Sequence, residues 1–308
     1  MTNAFAPADI WSDWILHHRS GNDPDHDAAV RATMARFADR ALDGAALGPG
    51  MVLADIGAGD GLVAFRAIER IGPSLQVILT DISPALLAHA EDMANARGVL
   101  SQCRFVDSPA DDLSPIADGS VDAVVTRSVL AYVADKPAAL RAFHRILKPG
   151  GRLSLAEPVF QDEAFEVVAL RQRLDAAAQA GEPPDRLLQL MHRWKSAHYP
   201  DTLAGMANNP ITNTTERDLF RMVTAAGFAD THLELHLDAA VNHVTSWQTF
   251  IDIAPHPWAL PLRRLLAERF TAKERAMFEQ ALRPLVETHQ LAATSRMTYV
   301  TARKIGAG

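Results

Sequence analysis

The sequence lacks the features that mark several large classes of protein. It contains one cysteine, Cys103, among 308 residues. A disulfide within the chain is therefore impossible, a zinc–thiolate site is disfavoured, and a reducing compartment is indicated. The sequence also shows no cationic-then-apolar leader and no uncharged apolar run of membrane-spanning length. We therefore expect a cytoplasmic protein without a membrane partner.

Positive charge is scarce as well. The chain has 30 lysines and arginines against 37 acidic residues, which gives a net charge of −7. A nucleic-acid partner is disfavoured, because neutralising phosphates requires clustered cations. The content of 48% hydrophobic and 22% charged residues is typical of a soluble globular protein. A chain of this length can bury one large core, or a core with a cap.

The most informative stretch is residues 52–61, VLADIGAGDG. Residues 52–56 predict a buried strand and residues 62–71 a helix. Three glycines alternate between them: Gly57, Gly59 and Gly61. Glycine permits positive φ and lets a ligand lie on the backbone, while the N–H groups at the helix start suit a polar or anionic group. Asp55 indicates that the ligand also carries a positive charge or a hydrogen-bond donor.

This stretch has two other interpretations. An ordinary glycine turn of an α/β protein would contain the same residues. A nicotinamide dehydrogenase is the other alternative, but Leu62 and Val63 stand where the third glycine of G-x-G-x-x-G belongs. A nicotinamide dehydrogenase would bind NADH, so a titration with NADH tests this interpretation.

Beyond the glycine loop, strands alternate with helices as far as residue 158. The further strands are predicted at 76–80, 103–106, 121–126 and 152–156. Such alternation predicts an α/β fold with a parallel sheet and right-handed crossovers. Ligands of such sheets bind at the carboxyl ends of the strands.

The regular pattern ends on either side of this region. Helices are predicted at 10–19, from 23 to about 42, at 164–180 and at 186–195, and a loop at 198–213. Thr215 with Asp218 and Thr271 with Glu274 are predicted capping boxes. Strands are predicted at 231–237 and 297–302, with a largely helical segment between them. The helical segments would form a cap over a small-molecule pocket; oligomerisation or a thicker core is the other interpretation.

Three runs of sequence resemble one known family. Residues 55–61 resemble motif I of the class I S-adenosylmethionine-dependent methyltransferases. Residues 118–130 and 140–153 are similar to the fourth-strand region and the following helix of the ubiquinone/menaquinone-type members. The resemblance covers about residues 50–158. It implies a Rossmann-like seven-stranded sheet, parallel with an antiparallel last strand, and S-adenosylmethionine as the cofactor, with S-adenosylhomocysteine as its product.

The predicted elements and the extent of the resemblance together divide the chain into four parts. Residues 1–48 are predicted to be an N-terminal helical cap and residues 49–158 the cofactor-binding core. Residues 159–230 would hold a helical insertion, or lid, and the last core helix. Residues 231–308 would hold the final two strands, with a helical insertion at about 244–292.

The cofactor-binding residues follow from strand ends and from the family. Asp81 ends the second strand twenty residues beyond Gly61, which is the spacing of a carboxylate that accepts from a ribose diol. Ile82 would pack on the adenine, and Asp107 and Ser108 would contact its amino group and a ring nitrogen. The complete predicted set is Asp55, Gly57, Ala58, Gly59, Gly61, Asp81, Ile82, Asp107, Ser108, Arg127 and Arg19, the last two near the methionine part of the cofactor.

The sequence does not identify a catalytic base. The candidates are His18, His198, Tyr199 and Glu157. With 12 histidines in the chain, a lone histidine is more often structural than catalytic. No metal site is predicted.

The expected function is methyl transfer to a small molecule, with oxygen as the first guess for the acceptor atom. The alternatives are a methyltransferase for a protein or peptide, and a non-catalytic scaffold that binds S-adenosylmethionine. Thr126-Arg127-Ser128-Val129 stands where amino-methylating enzymes of DNA and of glutamine carry Asn-Pro-Pro-Tyr or Asp-Pro-Pro-Tyr, which argues against those enzymes. A homodimer is compatible with the sequence.

Overall fold

The structure is a computed structural model, in which residues 9–21 and 23–306 are described. Residues 1–8, 22, 307 and 308 lie outside the described ones. They belong to the predicted N-terminal cap (1–48) and to the predicted last part of the chain (231–308). Within the described residues seven strands form one sheet: β1 (Val52–Ile56), β2 (Gln76–Asp81), β3 (Cys103–Asp107), β4 (Val121–Arg127), β5 (Leu147–Pro158), β6 (Phe228–Val241) and β7 (Ala292–Lys304).

The order of the strands confirms the predicted fold. Across the sheet they follow β3-β2-β1-β4-β5-β7-β6. The first five strands pair in parallel, and β7 pairs antiparallel with β5. In register, Ile56 lies opposite both Thr80 and Thr126, and Asp81 lies opposite Asp107. The carboxyl ends of these strands therefore meet at one edge of the sheet.

Helices connect the strands and form separate segments between them. They are α1 (Ile10–Asp13), α2 (Pro24–Ala45), α3 (Leu62–Ile71), α4 (Pro84–Ala96), α5 (Lys136–Ile146), α6 (Gln161–Gln179), α7 (Arg186–Lys195), α8 (Leu203–Asn208), α9 (Glu216–Ala225), α10 (Trp247–Asp252), α11 (Leu262–Arg269) and α12 (Ala272–Glu287). None of the helices in the described parts of the chain combines the length and apolar character that crossing a membrane requires.

The chain divides into two compact units. The core unit comprises Ala32–Val159, Thr214–Leu237 and the described residues from Arg296 onward. The cap unit comprises the described residues up to Arg31, together with Phe160–Asn213 and Asp238–Ser295. The four-part division of the sequence stays a prediction.

In the core unit, apolar residues cover both faces of the sheet. Residues of β1, β4 and β5 pack with α5 and α9 in one cluster, in which Phe143 and Val223 are fully buried. On the other face Ala41 of α2 and Ala64 of α3 are fully buried against Leu53 and Leu79. Burial on both faces explains why the strands read as continuous apolar runs.

The cap unit has its own core. Residues of α7, α10, α11 and α12 pack around Trp247, Leu265 and Phe278. Trp247 stacks on Phe250, with ring centroids 5.7 Å apart. The large aromatic side chains of this unit are therefore buried against its own helices and not against the central strands of the sheet.

Several element bounds differ from the predicted ones. Strands β6 and β7 are longer than predicted, at Phe228–Val241 against 231–237 and at Ala292–Lys304 against 297–302. The predicted loop at 198–213 contains helix α8, because the Thr202 side chain accepts from Gly205 N–H and caps it. Strand β5 begins at Leu147, ahead of its predicted start at residue 152, because Leu147 already pairs with Val121; residues 148–151 form an irregularity before pairing resumes at Ala123 and Arg152. The predicted helix 10–19 is α1 followed by a π-helical turn, Trp14–His18.

Both predicted capping boxes are confirmed. Thr215 Oγ1 accepts from Asp218 N–H at 3.1 Å, and the Asp218 carboxylate accepts from Thr215 N–H. Thr271 Oγ1 and the Glu274 carboxylate exchange the same pair of bonds. One box lies in each unit.

Candidate functional site

The glycine loop follows β1 and leads directly into α3. Gly57, Gly59 and Gly61 have φ values of +65°, +56° and +78°. A Cβ on Gly57 would lie 2.5 Å from a methyl carbon of Val129, so the position excludes any side chain for two reasons. Ala58 N–H donates to Thr80 O at 2.8 Å, and Gly61 N–H donates to Ala58 O. The loop is thus held against the end of β2.

Asp55 lies in β1, next to its carboxyl end and just before this turn, and is 1% exposed. Its Oδ2 accepts from Ala64 N–H in the first turn of α3, at 3.0 Å. Burial raises the pKa of Asp55 to about 7, an effect that the neighbouring carboxylates of Asp81 and Asp60 reinforce and the Arg127 guanidinium opposes. Three carboxylates so close together create a negative potential, which favours a ligand with positive charge.

Asp81 connects the second strand to the glycine loop. Its Oδ2 accepts from Gly59 N–H at 2.9 Å, and its Oδ1 accepts from Ser83 N–H at 2.9 Å. A carboxylate oxygen has two acceptor sites, so an oxygen that accepts from one backbone N–H can in general also accept from a hydroxyl. The carboxylate is thereby fixed in position by two backbone donors.

The predicted adenine contacts lie at the same edge. Ser108 N–H donates to Asp81 O at 3.1 Å, which places Asp107 and Ser108 beside Asp81. Asp107 is exposed, whereas Ser108 is buried and its hydroxyl donates to Asp112 O. Ile82 is 48% exposed, although its strand neighbours are buried. An exposed isoleucine beside polar strand ends offers an apolar face to a planar ring.

The end of β4 holds Arg127 and a buried acid. Arg127 Nη1 lies 3.3 Å from Met34 Sδ, and its charge acts on Asp55. Glu157 is 3% exposed and accepts from Thr126 Oγ1 at 2.6 Å and from Val129 N–H at 2.9 Å. These bonds hold the loop after β4 and favour a structural role for Glu157. Its predicted contact with an acceptor stays a prediction.

The other candidates belong to the cap unit. His18 Nε2 lies 3.3 Å from Asp13 Oδ2 at the surface, and Arg19 follows the π-helical turn. His198 Nε2 lies 2.9 Å from Leu260 O. The Tyr199 ring lies between Phe160 and His256, at centroid distances of 6.2 Å and 5.2 Å.

Comparisons with known proteins agree with this geometry. A family described as methyltransferase domain matches residues 54–155. The ubiquinone/menaquinone biosynthesis C-methyltransferase UbiE of Edwardsiella ictaluri is 30% identical over 190 residues, which cover 62% of this chain and 71% of the relative. The chain belongs to the class I S-adenosylmethionine-dependent methyltransferases of the ubiquinone/menaquinone type. The resemblance in the sequence is therefore confirmed.

Two further comparisons show how much of the chain is similar to other proteins. UbiE of Idiomarina loihiensis is 36% identical over 108 residues, which cover 35% of this chain and 43% of the relative. The chain thus spans less than half the length of that relative. A candidate methyltransferase from Bacillus halodurans C-125 has a similar fold, with a TM-score of 0.54, 17% identity, and coverage of 87% of this chain and 99% of that one.

The residues of the core unit fit the family's cofactor. Gly57 is required by its positive φ and by the close approach of Val129, which holds the glycine loop against the segment that follows β4. Asp55, Asp60 and Asp81 supply the negative potential that suits a sulfonium and an ammonium group. The Asp81 carboxylate is fixed by backbone donors and Ile82 is partly exposed beside it, so both residues are compatible with the predicted contacts to a nucleoside. The described residues contain no group of three or more potential ligands that could hold a metal ion.

Sequence reasoning missed three residues in these surroundings. Asp60 acts electrostatically on Asp55, and its place inside the glycine loop was the available signal. The pKa of the Tyr132 hydroxyl is raised by burial and by Glu157, so this phenol stays protonated at the end of β4. His256, which packs against Tyr199, had no sequence signal, because its partner lies 58 residues away at His198.

Proposed function

We propose that the protein transfers a methyl group from S-adenosylmethionine to a small-molecule acceptor. The observation that carries the proposal is the Asp81 carboxylate, fixed by Gly59 and Ser83 N–H beside a glycine turn that excludes side chains. When bound, the cofactor supplies an activated methyl group on a positively charged sulfur. The chain's own contribution is to align the two reactants and to exclude water.

Within this proposal each group has a defined task. Asp81 accepts from the ribose hydroxyls, and Asp107 and the Ser108 N–H contact the adenine. The carboxylates of Asp55 and Asp60 stabilise positive charge on the methionine side, and Arg127 orients the methionine part. Arg19 is the proposed partner of the methionine carboxylate.

The acceptor atom is the open part of the proposal. Oxygen was expected on base rates, but the matched relatives are named as C-methyltransferases. We therefore propose carbon or oxygen, to be separated by the position of the label in the product. His18, His198 and Tyr199 remain the proposed bases for an acceptor that must lose a proton. The homodimer and the cytoplasmic location stay predictions.

Calorimetric titration with S-adenosylhomocysteine tests the proposal, with NADH as the control. We expect micromolar binding of the former and none of the latter. Incubation with methyl-labelled S-adenosylmethionine and a small-molecule extract should then transfer the label. A folded protein that binds S-adenosylhomocysteine without labelling any product would point to the scaffold, and labelling of peptides alone would point to a protein acceptor. A folded protein that does not bind it would refute the proposal.

A further inference from the structure

The cap unit contains two adjoining cavities. The first, of about 310 Å³, is lined mainly by apolar residues, among them Trp194, Val244, Phe250, Ile253 and Leu262. The second, of about 470 Å³, has a more polar lining that includes Ser196, Asp201, Asn209 and His256. His198 and Tyr199 line both. The two cavities therefore meet at one pair of aromatic rings.

His256 brings an unused acceptor to the second cavity. The residue is 2% exposed, and its Nε2 lies 3.2 Å from His198 O. A carbonyl oxygen only accepts, so the hydrogen of the neutral ring resides on Nε2 and Nδ1 carries a lone pair. Burial lowers the pKa of His256 to about 4, so the ring is neutral near pH 7. Nδ1 is buried and has no hydrogen-bond partner among the described residues.

Trp194, which lines the first cavity, has a hydrogen-bond donor without an acceptor among the described residues. This donor, Nε1–H, is buried. The ring itself is fixed by edge contacts with Phe278 and Phe250, at centroid distances of 5.7 Å and 5.9 Å. The indole cannot turn easily to reach another acceptor. One donor and one acceptor thus remain unsatisfied in neighbouring cavities.

The distances and charges restrict what could satisfy both. The His198 ring contacts both residues, with its centroid 6.4 Å from that of the Trp194 ring and 6.5 Å from that of the His256 ring. The centroids of the Trp194 and His256 rings are therefore at most about 13 Å apart, a span that a bicyclic molecule with a polar substituent at each end can bridge through two hydrogen bonds. Glu163 lines the first cavity and Asp201 the second, while the Lys195 ammonium is paired with Glu166 at 3.1 Å. The Asp201 carboxylate is itself paired with Arg171 at 2.9 Å, and Lys195 is the only lysine or arginine among the described residues that line the two cavities. An anionic ligand is disfavoured because this one cation already has an acidic partner.

We propose that the cap unit binds a neutral small molecule with an apolar ring body, a hydrogen-bond donor that pairs with His256 Nδ1, and an acceptor that pairs with Trp194 Nε1. Buried polar atoms are almost always paired in native proteins, and a ligand that pairs with them restores the missing bonds. That this ligand is the methyl acceptor rests on the proposed function. Its binding in the cap unit does not.

Three related probes test the proposal by calorimetry without cofactor. The first is a naphthyl methyl ketone with a hydroxyl at the opposite end of the rings. The second is its methoxy ether, which lacks the donor, and the third is the parent naphthol, which lacks the ketone. We expect the hydroxy ketone to bind about fivefold more tightly than either, as one neutral hydrogen bond implies.

Variants assign each bond to its atom. His256→Phe should abolish only the advantage of the hydroxyl, and Trp194→Phe only that of the ketone. His256→Asn should retain the hydroxyl preference, because its side-chain oxygen can stand in for Nδ1. His289→Asn is the control: His289 is exposed in the same unit, and its φ of +56° suits asparagine. It should leave all three affinities unchanged.

The proposal fails if folded wild-type protein binds none of the probes, or binds the ether as well as the hydroxy ketone. It also fails if His256→Phe folds and keeps the hydroxyl preference. If that variant does not fold, the comparison of probes on the wild type still decides. Titration with S-adenosylhomocysteine is a separate measurement: probes that bind to a protein without affinity for it would refute the proposed function and leave this inference standing.

Discussion

The core unit and the cap unit encode their candidate sites in different ways. In the core unit the site residues lie at or next to the carboxyl ends of three neighbouring strands, so Asp55, Asp81 and Asp107 reach one edge by the pairing of the strands alone. In the cap unit the cavity linings combine α7 with a segment near His256, which is 58 residues from His198. A site built on strand ends can be read along the chain. A site built by packing between helices cannot.

The chemistry of the two sites differs in the same direction. The core unit gathers carboxylates, one of them with a pKa raised by burial to about 7. The cap unit gathers imidazole and indole rings, and burial lowers the pKa of His198 and of His256. The first suits a polar ligand with positive charge, and the second a neutral ligand. Four predictions address this contrast, beginning with the largest effect.

Gly57→Ala should be the most damaging single change in the core unit. The new Cβ meets Val129 at 2.5 Å in a backbone with φ of +65°. Strain and overpacking together should cost about 3 kcal/mol of unfolding free energy. Urea denaturation measures this loss. Adding Val129→Ala should recover part of it; a double variant no more stable than Gly57→Ala would show that the methyl contact is not the cause.

Asp81→Asn should weaken the binding of S-adenosylhomocysteine by roughly ten- to hundredfold, since it removes a charge-assisted hydrogen bond. The amide retains one oxygen for a backbone donor, so the fold should persist. The naphthyl probes serve as the internal control, because their binding is assigned to the other unit. Unchanged affinity for S-adenosylhomocysteine would contradict the assignment of Asp81 to the ribose. A loss of affinity for both S-adenosylhomocysteine and the naphthyl probes would show that the two sites are not independent.

The affinity for S-adenosylmethionine should rise with pH. Asp55, with a pKa of about 7 in the ligand-free protein, is mostly protonated below that pH and ionised above it. A positively charged ligand favours the ionised form, so affinity should increase by up to about tenfold between about pH 6 and about pH 8. S-adenosylhomocysteine, which has one positive charge fewer, should show a smaller rise. Asp55→Asn should flatten the profile, whereas a rise that persists in this variant would assign it to another group.

The two capping boxes provide the finest comparison. Thr215→Ala and Thr271→Ala each remove one N-cap, in the core unit and the cap unit respectively. Each should lower stability by about 1 kcal/mol. Hydrogen exchange during urea unfolding would show which helices and strands lose protection in each variant. If the units unfold separately, Thr215→Ala changes protection in β1–β4 alone and Thr271→Ala in α10–α12 alone; equal changes throughout would show one cooperative unit.

Local signals explain what could be predicted. Glycine spacing, apolar runs and cap residues depend on neighbours in the chain, so β1, α7 and both capping boxes were predictable. Helix α8 was missed because proline, glycine and asparagine dominate its surroundings, while the Thr202 cap carried the opposing signal. The start of β5 at Leu147 depends on pairing with β4, which no local pattern contains.

The candidate sites follow the same division. The strand-end residues of the core unit were named from the sequence, and the structure brings Asp55, Asp81, Asp107 and Ser108 together. The partners of Glu157 were not foreseeable, since they come from the end of β4 and the loop after it, 26–31 residues away. The unpaired atoms of Trp194 and His256 could be found only in three dimensions, because an unmet hydrogen bond leaves no trace in the order of residues.

The position of β7 has a consequence for synthesis on the ribosome. This strand lies between β5 and β6, although it is the last of the seven to be translated. Until it emerges, the growing chain carries β5 with an unpaired edge, and β6 has no neighbour in the sheet. Unpaired edges recruit strands from other chains. Nascent chains stalled before residue 292 should therefore depend on chaperones, while those released with β7 should not.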